Sequence, residues 1–230
     1  MSAIRLRGAT SGYTELVAPA IAPDGVLALP SGTGTLATAA SVATAKAEAI
    51  AGGGLVAVAP TSIANSGGSA STTGNTTTFT GVTTVSLNGI FTTTFDNYKI
   101  IIYGSGSGSS SVAMHLRYRT SGTDNTTSNY LNGGVSVTHS VGPTRTYSNT
   151  TTHTIGAAAD ITANATIDCM RPFNSTPTSS HSQYAGVGSQ SAEYGTIQNV
   201  FFALTSFDGV TLYPASGTIT GIIRVYGYSN

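Results

Sequence analysis

The chain has 230 residues, nine basic against nine acidic, and only 8% charged residues in all, where an ordinary soluble domain carries about a quarter. Gly, Ser and Thr make up roughly forty per cent of it, well above usual usage; 40% of the residues are nevertheless hydrophobic, which excludes the low-hydrophobicity, high-charge composition of a disordered chain. A folded, weakly charged β protein is expected, and with no basic stripe to neutralise phosphates, nucleic acid is excluded as a partner.

The N-terminal stretch from Met1 to Gly12 is polar and interrupted by Gly, unlike a secretory signal with its apolar run, so the chain is expected to be made and kept in the cytoplasm until assembly. Up to about residue 35, short apolar stretches alternate with Gly, Pro and Thr, the pattern of short strands and turns, and Asp24-Gly25 between apolar pairs signals a small hairpin. From Leu36 to Ala51 comes the one helix candidate, Ala-rich, with Leu36, Ala43, Ala47 and Ile50 on a seam and Gly52-Gly53-Gly54 ending it. A lone helix of that length is marginal in water. Residues 1–60 are therefore expected to form an extended attachment arm that leans on a partner chain. Residues 61–78, dominated by Ser, Thr, Gly and Asn, read as a linker.

After the linker the strand signals are dense: Val82–Leu87, a turn at Asn88-Gly89, Tyr98–Tyr103 and Val112–Arg119, then 135–137, 151–155, 161–170, 196–206 and 217–228. Short strands at regular spacing predict a β-sandwich over residues 79–230, with a jelly-roll-like arrangement. About 150 residues suffice for one core. The longest apolar stretches, 55–60 and 200–204, fall far short of the ~20 residues that span a bilayer, so no membrane insertion is expected. Cys169, the single cysteine, cannot close an intrachain disulfide and is expected to be a small buried hydrophobe.

Candidate chemistry is sparse. Asp160 and Asp168 are the closest acidic pair in the domain, but eight residues along one strand exceeds ~25 Å, beyond the reach of a glycosidase pair. His115, His139, His153 and His181 show no local metal-binding spacing. Gly104-Ser105-Gly106-Ser107-Gly108 has the letters of a nucleophile elbow but follows a strand and leads to another, so it is read as a flexible hairpin loop. No cofactor is implied, and the chain is not expected to be an enzyme.

The polar and aromatic middle, with Tyr130, Asn132, His139, Arg145, Tyr147, Asn149, His153 and Tyr184, has the mixture that adaptable recognition surfaces use. Tyr130, Arg145 and Tyr147 are the candidate receptor-binding residues; the alternative is that such tyrosines cap the core or line a subunit interface.

The segments Gly8–Leu16 and Leu27–Thr38 resemble the N-terminal module of fibre and minor tail proteins of tailed bacteriophages. Ile90–Ile100 is similar to the first core strands of their β-sandwich tip domain, and Ser216–Tyr228 is similar to their closing strand. The resemblance implies a virion appendage, commonly homotrimeric, whose arm docks on another virion protein and whose sandwich binds host surface glycans or proteins. On that reading Leu6, Tyr13, Leu16, Leu27, Leu29, Leu36, Ala43, Ala47 and Ile50 are candidates for the attachment or oligomer interface. A short tail fibre or tail-tip protein is the first expectation, a head fibre or capsid decoration the second, and a glycan-cleaving enzyme the third.

Overall fold

A computed structural model describes residues 3–7, 13–17, 54–138 and 142–229. The chain divides into two units, Met1–Ala43 and Thr44–Asn230. In the first, β1 (Ala3–Arg7) pairs antiparallel with β2 (Tyr13–Val17), with Leu6 opposite Thr14, Ile4 opposite Leu16 and Arg7 opposite Tyr13. Leu6, Tyr13 and Leu16 thus sit in a hairpin, while Leu27, Leu29, Leu36, Ala43, Ala47 and Ile50, together with the expected helix at 36–51, lie outside the described residues.

The second unit is all-β among its described residues. Its strands are β3 (Leu55–Ala57), β4 (Ser62–Ser66), β5 (Ser69–Thr73), β6 (Thr76–Val82), β7 (Thr84–Asn88), β8 (Asn97–Gly106), β9 (Val112–Thr120), β10 (Thr123–Asp124), β11 (Tyr130–Thr138), β12 (Gly142–Thr150), β13 (His153–Ala158), β14 (Thr162–Met170), β15 (Thr178–Val187), β16 (Ala192–Phe201), β17 (Gly209–Pro214) and β18 (Ile219–Tyr228). They form two antiparallel sheets sharing one core, a β-sandwich. The large sheet runs β12-β11-β16-β15-β14-β8-β18-β6-β5, with β3 also on β18; the small one runs β10-β9-β17-β7-β4, with β13 also on β9.

Eight of these strands pair in a nested series: β6 with β18, β7 with β17, β8 with β14, and β9 with β13. The chain crosses from one sheet to the other between successive members. The extra strands β15, β16, β11 and β12 widen the large sheet beyond β14.

Burial explains the alternation. In β14 the inward residues Ala163, Ala165, Ile167 and Cys169 are buried while their neighbours are not, and β8 repeats the pattern with Tyr98, Ile100 and Ile102, the period-two signature of a half-covered strand. Aromatic rings fill the space between the sheets: Tyr118 stacks on Phe207 at 4.7 Å, and Phe201 meets Phe207 and Tyr130 edge-on at 4.9 Å each. Such pairs add about 0.5–1.5 kcal/mol beyond the area they bury. Cys169 is buried, and burial pushes its thiol up to about 12, which makes it the inert hydrophobe expected.

Three expectations are corrected. Residues 61–78 are no linker: β4 pairs with β7 and β5 with β6, so this polar segment is sandwich edge. The strand expected at Val82–Leu87 is divided at Thr83, β6 belonging to the large sheet and β7 to the small one. The serine-rich stretch after Tyr103 is no hairpin loop, since β8 and β9 lie in opposite sheets.

Candidate functional site

The outer face of the large sheet is shaped by the β11–β12 hairpin. In its register Tyr130 faces Thr150, Gly133 faces Tyr147 and Val135 faces Arg145; on its other edge β11 sets Gly133 beside Gln198 and Val135 beside Thr196. Alternation then decides which side chains reach the surface. Tyr130, Asn132, Ile197 and Asn199 point into the sandwich and are buried, whereas Val135, Arg145, Tyr147, Thr196 and Gln198 are exposed.

Gly133 is the gap in this surface. Tyr147 and Gln198, one strand to either side, stand about 10 Å apart across it, and Leu131 and Val135 on β11 flank it at about 7 Å. A Cβ added at Gly133 would meet nothing within 4 Å. The result is an open depression of about 480 Å³ lined by Gly133, Gly134, Val135, Arg145, Tyr147, Thr196 and Gln198. Tyr147, 80% exposed, supplies a flat aromatic wall. Arg145 supplies the one charge in the lining, and among the described residues no carboxylate forms an ion pair with it.

The floor is stiffened from below and beside. On the inner side of the sheet, the Tyr184 hydroxyl donates to Glu193 Oε1 at 2.8 Å. Burial, then the Glu193 carboxylate, raises the Tyr184 pKa. His181 Nε2 lies 2.6 Å from Thr196 Oγ1. Farther along the same outward row, Lys99 Nζ is 2.6 Å from Asp168 Oδ1, and Tyr228 donates to the same carboxylate. Partial burial pulls the Lys99 pKa down, but the bonds to Asp168 and Tyr228 outweigh it and the net shift is upward.

Of the three candidate receptor residues, Arg145 and Tyr147 come together in this depression and Tyr130 does not. Tyr130 is fully buried; its hydroxyl donates to the Asn125 carbonyl at 2.9 Å and accepts the Tyr118 N–H at 3.1 Å. It is a core residue because it sits an odd number of positions from Gly133 on the same strand. Asn132, His153 and Tyr184 are likewise buried, Asn149 is exposed, and His139 lies outside the described residues. Composition alone missed Gly133, Thr196 and Gln198; the Gly133-Gly134 pair in an otherwise regular strand was the available signal, since glycine inside a strand marks a bulge or close approach.

The remaining candidates are occupied. The Asp160 carboxylate accepts bonds from the Ser189 N–H and hydroxyl, which hold its pKa low, and Asp168 is held by Lys99 and Tyr228. Among the described residues no group of three His, Cys, Asp or Glu side chains could hold a metal. Arg119 is buried on the small sheet, where it pairs with Asp124 and donates to Asn88 Oδ1 and Ser86 Oγ at 2.9 and 2.8 Å; this network ties β7, β9 and the β10 turn together.

No family model, curated protein or solved structure matches this chain.

Proposed function

We propose that this chain is a structural protein of a bacteriophage virion, a short homotrimeric tail fibre or tail-tip protein whose sandwich binds the host cell surface. The observation that carries the reading is the nested pairing of eight strands across two sheets. It supports a jelly roll, the architecture of viral capsid and lectin domains, in line with the resemblance at both ends of the chain. A separate N-terminal unit with its own hairpin suits an arm that docks on another virion protein. A surface with zero net charge and few charged residues offers little repulsion between copies, and closed cyclic symmetry accommodates them.

In this account the depression beside Gly133 contacts the host, a glycan or protein of its surface. Recognition loops and faces on a rigid sandwich are where binding resides. The work is adhesion without turnover: Asp160 and Asp168 are engaged by Ser189 and by Lys99 with Tyr228, which leaves neither free as one of a pair of acids across a glycosidic bond. The test is competition. Purified chain added before infection should lower adsorption of the parent particle, and Tyr147→Ala should remove that effect. Undiminished adsorption at saturating chain contradicts the proposal.

A further inference from the structure

The depression has a more specific chemistry than a general adhesive face. Along β11 its lining runs from Gly133 to Val135, with Tyr147 and Arg145 of β12 on one side and Gln198 and Thr196 of β16 on the other. A depression of about 480 Å³ holds a sugar ring. One wall is an aromatic face, against which the apolar face of a pyranose ring can lie. The opposite wall and the end carry Gln198 and Thr196, an amide and a hydroxyl able to donate and accept bonds with ring hydroxyls. The remaining feature is Arg145, two residues from Tyr147 and therefore on the same face of the same strand.

A neutral sugar offers that guanidinium hydroxyl acceptors but no opposite charge. A planar fork of N–H donors matches a carboxylate in two parallel bonds, and the depression contains no acidic side chain of its own to compete for it. We infer that the Gly133 depression binds a sugar residue bearing a carboxylate, a uronic or nonulosonic acid of a surface polysaccharide, with Tyr147 against the ring and Arg145 on the acid. This rests on the reading of the depression as the host-contact site and names its ligand class.

The glycine makes the inference testable without unfolding the protein. A side chain at position 133 meets open space and occupies the ring's place, so Gly133→Val should keep the fold and block the site. With the full chain, binding of methyl glucuronide, methyl N-acetylneuraminide, methyl glucoside and glucose 6-phosphate is measured by saturation-transfer NMR and calorimetry. The expected result is saturable binding of at least one of the two carboxylated glycosides, at least tenfold tighter than the glucoside or the phosphate. Arg145→Gln should bring that acid to the level of the glucoside, and Gly133→Val should abolish both.

Equal affinity for acid and neutral sugars, or tighter binding of the phosphate, overturns the inference. So does binding of neither acid by a chain that still attaches to host cells through Tyr147, and in that case the host-contact reading survives. Conversely, Arg145-dependent binding of an acid by a chain that attaches to no cell supports the inference and defeats the adhesive reading.

Discussion

Tyr147 stands directly across the β11–β12 ladder from Gly133, so the most exposed large apolar side chain among the described residues faces a position without a side chain. The neighbouring Gly134 points the other way, and a Cβ there would come within 2.7 Å of the Thr196 carbonyl oxygen. The two glycines should therefore respond oppositely. Gly133→Val should change stability by less than about 1 kcal/mol, because a β-branched residue suits an open strand position. Gly134→Val should cost about 1–3 kcal/mol, the penalty of forcing extra atoms into occupied space. Urea denaturation of both variants measures the difference, and equal costs would show that the face is not shaped as described.

Tyr130 and Tyr147 should separate stability from binding. Tyr130→Phe deletes a hydroxyl that donates to Asn125 and accepts from Tyr118, and leaving the buried Tyr118 N–H unpaired should cost about 1–3 kcal/mol. Attachment to cells should be unchanged in that variant. Tyr147→Ala should do the reverse, with a stability change within about 0.5 kcal/mol, as expected of a surface substitution, and loss of attachment.

The Arg119 network predicts a large effect far from the proposed site. Arg119→Ala leaves Asp124 without its ion-pair partner and empties the bonds to Asn88 and Ser86. Removing one member of such a largely buried pair should cost about 3 kcal/mol, read as a lowered denaturation midpoint with binding retained in the remaining folded protein.

Stability should depend on pH through His153. Its ring is fully buried between Tyr118 and Tyr130, its Nδ1 lies 3.3 Å from Asn132 Oδ1, and burial lowers its pKa to about 3 from the ordinary 6.5. A group depressed in this way is neutral in the fold while the unfolded chain takes up a proton. Stability is full above pH 6.5 and falls as the pH drops from there towards 3, by up to ~1.4 kcal/mol per pH unit. His115, whose pKa burial also lowers, adds a slope of the same sign. His153→Gln should flatten the dependence of the denaturation midpoint between pH 6.5 and 4; an unchanged slope would remove His153 as its source.

The strands that alternate apolar and polar residues, β8, β9, β14 and β18, were legible because one face of each meets the core. Others were hidden for reasons that can be named. β15 places Thr178, Ser180 and Ser182 inward, small hydroxyl residues where a buried face normally carries aliphatic ones, so its period carries no hydrophobic signal. β4 and β5 lie at sheet edges and are exposed on much of both faces, which lets Ser, Thr, Gly and Asn form strands that read as linker. The division at Thr83 was invisible because apolar residues continue on both sides while the chain changes sheets.

The candidate site divides in the same way. Arg145 and Tyr147 were identifiable by residue type, but Tyr130 could be told from them only by hairpin register, and a shift of one residue exchanges every side chain between the two faces. The third, fourth and fifth parts of the depression, Gly133, Thr196 and Gln198, are distant in sequence and meet only because β16 pairs with β11 rather than with β17.

The most direct measurement for the account as a whole is the position of this chain on the particle that carries it. Gold-labelled antibody raised against the chain should decorate the tail tip in electron micrographs, and block adsorption as it does so. Label confined to the head, with adsorption unimpaired, would contradict the assignment of host contact to this protein.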